Sequence, residues 1–162
     1  MFNYCRYCYQ KQSVELVSAD KTERIEAASL NSWFEKLCLE FGSTLQGRKK
    51  AYSTLMKQKK FLPIIICLDP VFILIPLAEQ KNDDVIYISY SQIEAIHPYE
   101  RTEYSLPVRG LSIIFHDHQK LDAEPAGRIS YLLEQMVLYL KMEQMKRKQL
   151  KRLSEDSLKV RD

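Results

Sequence analysis

Residues 61–77 read FLPIIICLDPVFILIPL, the longest apolar stretch of the chain, and the way it divides decides the fold. As one unit it would be a membrane helix. A spanning helix needs about 20 apolar residues and tolerates a central Asp poorly, and here Asp69-Pro70 cuts the stretch in two. The reading is therefore two strands, Ile64 to Cys67 and Val71 to Ile75, turning at Asp69-Pro70, which is favourable turn chemistry. Neither run alternates apolar with polar, so both faces of these strands are expected to be covered. Pro63 and Pro76 are expected to mark the outer ends.

The pattern upstream changes period. From Ser29 to Phe41, residues Trp33, Phe34, Leu37, Cys38 and Phe41 recur at steps of three and four, which places them on one helix face. Trp33, Phe34 and Phe41 are assigned to the core. Ser29 or Asn31 can cap the start, and Gly42 is placed to end the helix in the left-handed conformation. Ser43 or Thr44 can then cap a second helix running to about Lys57, with Leu45, Ala51, Tyr52, Leu55 and Met56 as its apolar positions. In residues 2–28, Val14, Leu16 and Val17 are the best strand candidate. Downstream, Val85 to Tyr90 reads as a strand that Gln92 to Ile96 extends, the Pro98 and Pro107 region as loop, and Leu111 to Phe115 as a strand turning at His116-Asp117-His118. From Ala126 the pattern is helical, with Ile129, Leu132, Leu133, Met136, Val137 and Leu140 as its stripe. The expected class is α+β, with a mostly antiparallel sheet, helices near residues 30–57 and a long C-terminal helix. Residues 1–140 form the expected single domain, and residues 141–162 a basic helical extension.

Charge is unevenly spread. The net charge is +3, but residues 141–162 hold eight cations and four acids, so residues 1–140 carry −1. Within that near-neutral body, Gly47 to Lys60 holds Arg48, Lys49, Lys50, Lys57, Lys59 and Lys60 and no acid. A segment this dense faces a polyanion or lies solvated on the surface. A helix N-terminus also offers free N–H groups to phosphate, so Ser43 and Thr44 could meet a DNA backbone, although capping explains them equally well.

Catalytic groupings with good spacing are missing. There is no phosphate-cradling GxxxxGK[ST], no GxSxG elbow and no HExxH. On a strand, His116 and His118 would share one face about 7 Å apart, without an evident third metal ligand; a polar turn is the plainer reading. Asp83-Asp84 reads as a solvated turn. Cys5-Arg-Tyr-Cys8 is a lone CxxC, and a structural zinc site needs two more soft ligands. Cys38 and Cys67, in apolar contexts, suit buried small hydrophobes. The expectation is no catalytic residue, no metal and no cofactor. MFNYCRYCYQ at the N-terminus has no apolar core of a signal peptide, and the expected location is the cytoplasm, without a membrane anchor.

Phe41-Gly42-Ser43 followed by Gly47-Arg48-Lys49 resembles the FGSS…GRK pattern of the ComK competence transcription factor family. Pro63-Ile64 and Asp69-Pro70 fit that family's next motif to within a residue of spacing. Ile73 to Pro76, Ile86 to Ser89 and Leu111 to Phe115 fit its following strands, and Tyr131 and Gln135 its terminal helix. The resemblance covers about residues 30–140; the region before Ser29 departs from it, and the family's segment for capture by a proteolysis adaptor has no counterpart. It implies a DNA-binding activator that reads paired A/T-rich boxes of double-stranded DNA through the minor groove, as a homo-oligomer (a dimer or a dimer of dimers). Narrow A/T-rich minor grooves attract arginine, which assigns Arg48 to the groove. Lys49, Lys50, Lys57, Lys59 and Lys60 suit phosphate contacts. The competing reading is a non-enzymatic protein-interaction module that kept the fold and docks a partner through the basic C-terminal helix.

Overall fold

The computed structural model describes residues 1–78 and 85–160; Asp83-Asp84 lie outside them. The apolar stretch forms β4 (Ile64–Leu68) and β5 (Val71–Ala78), antiparallel and turning at Asp69-Pro70. They occupy one side of a six-stranded sheet ordered β3-β2-β1-β6-β5-β4, where β1 is Tyr4–Cys8, β2 Ser13–Val17, β3 Thr22–Glu26 and β6 Val85–Ser89. Each of its pairings is antiparallel. The N-terminal region thus contributes three strands, of which the sequence pattern marked only β2. Pro76 is not an end marker. It sits inside β5 opposite Tyr87, two residues past the last β4 pairing at Ile64 and Leu74. Among the described residues no strand is bonded on that side there, so a residue without an N–H is tolerated.

Helix α1 (Leu30–Glu40) covers one face of this sheet. Its first turn is closed by a reciprocal cap: the Ser29 hydroxyl accepts from the Ser32 N–H at 3.1 Å, and the Ser32 hydroxyl from the Ser29 N–H at 3.2 Å. At the other end the Ser43 N–H donates to the Cys38 carbonyl at 2.9 Å and the Gly42 N–H to that of Leu39 at 3.0 Å. Gly42 has φ +76°, the left-handed closure in which a glycine carries no steric cost. Trp33, Phe34 and Cys38 are buried with Cys5, Val14, Leu16, Ile64, Ile66 and Leu74. Phe41 corrects the expectation. It caps the helix rather than continuing it, and it is 45% exposed. Alternate residues of the same strands (Tyr4, Ile65, Ile73, Ile75, Ile86 and Ile88) are also buried, so both faces are covered, as the unbroken apolar runs required.

The opposite face is met by a three-stranded sheet, β7 (Ile93–Glu103), β8 (Leu106–Phe115) and β9 (Lys120–Ala123), through Tyr4 against Phe115 with ring centroids 6.4 Å apart. Two expectations fail here. Gln92 to Ile96 does not extend β6, because a short 3₁₀ turn at Tyr90–Gln92 sends the chain into the second sheet. The Pro98 and Pro107 region is a long hairpin, not loop, with Pro98 paired to Leu111 and Pro107 to Thr102. Pro98 lies on the edge strand, and Pro107 lies where β8 has only one neighbour, since β9 reaches no further than Leu111; both are sites that spare a missing donor. The β8–β9 turn ties the two sheets together. Asp117 accepts from the buried Asn3 amide at 2.8 Å and from the Ala19 N–H at 2.8 Å, and that N–H, then the Asn3 amide, hold its carboxyl below the usual carboxylate range.

At the hairpin base, Gly110 faces Tyr99 across the strands, and a Cβ on Gly110 would fall within 2.6 Å of the phenol ring. The Tyr99 hydroxyl donates to Glu124 at 2.6 Å, and Arg101 donates to the same carboxylate at 2.7 and 2.8 Å. Burial, then the Glu124 carboxylate, push the Tyr99 phenol up.

Helix α3 spans Ala126–Val160. The chain divides into two compact units, residues 1–129 and residues 130–162. Along the second, Leu132, Met136 and Tyr139 are buried and Val137 is exposed, so the expected stripe is narrower than its sequence suggested. No described helix is long and apolar enough to cross a membrane.

Candidate nucleic-acid interface

The basic segment coincides with helix α2 (Leu45–Met56) and the turn that follows it. Of the two candidate caps, Thr44 does the capping: its Oγ1 accepts from the Gly47 N–H at 3.0 Å. Ser43 is half-buried beside it. Gly47 has a structural reason to be glycine, because a Cβ there would lie 2.8 Å from the Thr44 hydroxyl oxygen. The helix leans on the core through Leu45 and Tyr52. Ala51, expected on that face, is exposed; a face anchored at only two positions leaves most of the cylinder to polar side chains.

The six cations do not behave alike. Arg48 is half-buried and folds back on the end of α1, its Nη2 donating to the Phe41 carbonyl at 3.4 Å while its buried Nε has no hydrogen-bond partner. A cation is favourable at a helix C-terminus. Lys49 and Lys50 line a shallow groove of about 450 Å³ with Glu35, Leu45, Gln46, Ser53 and Leu62. Lys57, Lys59 and Lys60 are exposed on the turn after α2. Among the described residues, none of the six forms an ion pair. Burial pushes the neighbouring Cys38 thiol up, against the smaller pull of Arg48 and Lys49.

Gln58 organises that turn, and its role was hidden in the sequence KQKK. It is only 6% exposed. Its amide donates to the carbonyls of Lys60 at 2.9 Å and Phe61 at 3.1 Å, and its carbonyl oxygen accepts from the Tyr52 hydroxyl at 3.3 Å. The Ser53 hydroxyl donates to the Gln58 main-chain carbonyl at 2.6 Å. Lys57 closes α2 at φ +54°, so the charged helix face ends just before Gln58. Replacing Gln58 by Leu is expected to cost about 2 kcal/mol, since two part-buried carbonyls lose their donor. Urea unfolding should show a lower midpoint with unchanged slope; an unmoved midpoint would mean the turn holds without it.

The family model for the ComK protein matches residues 6–122. The chain belongs to the ComK family. The match starts at Arg6, so residues 6–28, set outside the resemblance on sequence grounds, fall within it, while Tyr131 and Gln135 lie beyond the matched residues. No curated protein and no solved structure gives a significant match. ComK proteins are competence-type transcription factors, not enzymes, and the other candidate clusters of this ComK-family chain are accounted for structurally. Cys5 is buried in β1 and its thiol is pushed up by burial, whereas Cys8, three residues on, points to the other side of the strand. His116 and His118 flank the turn built by Asp117. Among the described residues, no three His, Cys, Asp or Glu side chains are grouped to hold a metal ion.

Proposed function

We propose that this ComK-family member is a DNA-binding transcriptional activator of the competence type, reading A/T-rich boxes through the minor groove. The observation that carries the proposal is the acid-free segment from Gly47 to Lys60, whose cations lack ion-pair partners among the described residues. Unpaired cations suit a phosphate backbone, and Arg48, Lys49 and Lys50 stand in the first two turns of α2, near its N-terminus. In this reading Ser43, Thr44, Lys49, Lys50, Lys57, Lys59 and Lys60 meet phosphates and Arg48 enters the groove. The 3.4 Å contact to Phe41 is long enough to release at small cost. The DNA-binding domain is residues 1–140, working as a dimer or dimer of dimers, with residues 141–162 as a basic extension.

A second reading, a protein-interaction module, has one observation in its favour. From Gln144 to Lys159 every residue of α3 is exposed, including Met145, Leu150, Leu153 and Leu158. Fluorescence anisotropy with a duplex bearing two A/T boxes, beside a G/C-scrambled duplex, separates the two. The expected result is an A/T preference, with Arg48→Ala weakening binding about tenfold, the scale of one specific arginine contact. Equal, feeble binding to both duplexes, unaffected by Arg48→Ala, would favour the interaction module.

A further inference from the structure

Phe61 directly follows Lys59-Lys60 and has φ +54°, a conformation that a bulky L residue rarely adopts. Backbone strain of this kind persists only where the surroundings enforce it, and here the Gln58 amide enforces it by holding the Phe61 carbonyl. The consequence is a ring turned outward, 40% exposed. Arg128, remote in sequence, lies over that ring with its guanidinium carbon 4.5 Å from the centroid.

Arg128 is oddly placed for stability alone. It stands in the first turn of α3, which holds no acidic residue, and a cation there opposes the helix dipole. It is exposed, and among the described residues it forms no ion pair. Gly127 beside it leaves open space where a side chain would stand. Stacking on an aromatic face fixes a guanidinium in one plane and leaves its N–H edge free, and that edge matches phosphate geometry and is more easily desolvated than an ammonium.

We propose that Arg128, held in place by Phe61, is a DNA-contacting residue on the same face as Lys59 and Lys60. The inference rests on the DNA-binding reading above. It adds a cation 68 positions beyond Lys60 in the sequence, outside the basic segment, and gives the strained Phe61 a function as a positioning residue.

The test is anisotropy titration of the full chain with the two-box A/T duplex across a salt series, for wild type, Arg128→Ala, Arg128→Gln and Phe61→Leu. Both Arg128 variants are expected to bind about tenfold more weakly, with the log–log salt slope shallower by about 0.9. Phe61→Leu keeps every charge, so it should bind about threefold more weakly with its slope unchanged, and a thermal melt within a few degrees of wild type separates this from lost folding. Wild-type affinity and slope in both Arg128 variants would overturn the assignment while leaving the DNA reading intact. Failure of the wild-type protein to bind either duplex would overturn the DNA reading, and this assignment with it.

Discussion

Replacing Lys49, Lys50, Lys57, Lys59 and Lys60 together by glutamine is expected to flatten the salt dependence of DNA binding. Each phosphate neutralised contributes about −0.9 to the slope of log affinity against log salt, so six contacts give a slope near −5. Between 50 and 200 mM salt the wild-type protein should lose at least about a thousandfold in affinity, and the five-lysine variant, left with Arg48 and Arg128, only about tenfold. The fold should be indifferent to the change. Four of the five lysines are exposed, Lys49 is half-buried, and no described ion pair involves any of them. A thermal melt within a few degrees of wild type would establish that the lost affinity is electrostatic. A variant that kept the steep slope would move the phosphate contacts elsewhere, the basic end of α3 being the next candidate.

Phe34→Ala should have the largest effect on stability. Phe34 is fully buried, with Tyr87 edge-on at 4.7 Å and Trp33 at 5.6 Å. It belongs to the buried cluster that joins α1 to the sheet, with Cys5, Leu16, Ile64 and Leu74. Truncation removes the transfer free energy of the ring and leaves a cavity that rigid strands cannot close, a cost of about 3–5 kcal/mol. Domains of this size have only about 5–15 kcal/mol in total, so the variant should unfold at much lower urea. Phe41→Ala, on the same nominal helix stripe, should cost under about 1 kcal/mol because that side chain is half out of the protein. Equal losses for the two would contradict the packing described here.

That contrast shows how far the sequence could be read. Features fixed by neighbouring residues were legible. The Asp69-Pro70 turn and the Gly42 closure each have a local chemical cause and stand where their residues put them, Ser29 is the one of two candidate caps that is used, and α3 starts at Ala126 as its periodicity suggested. The β7–β8 hairpin was illegible for a local reason too. Its turn, Tyr104-Ser105, has both residues at positive φ yet contains neither the glycine nor the asparagine that usually announces such a turn. Prolines at positions 98 and 107 then read as loop, because edge placement, which makes them harmless, is a property of the assembled sheet. The candidate site divides the same way. Its charge was plain in one contiguous segment. The buried Gln58, the inward fold of Arg48 and the Arg128–Phe61 stack depend on contacts that a one-dimensional pattern does not carry.

The ComK-family assignment gives the class of protein, and the acid-free segment from Gly47 to Lys60 is the surface proposed to meet DNA. The measurement that bears most directly on this is the salt dependence of wild-type binding to the two-box A/T duplex between 50 and 200 mM. Tight binding at low salt is expected, with a log–log slope between about −5 and −6, the steeper value including Arg128. A slope near zero, or binding no tighter than to the G/C-scrambled duplex, would contradict it.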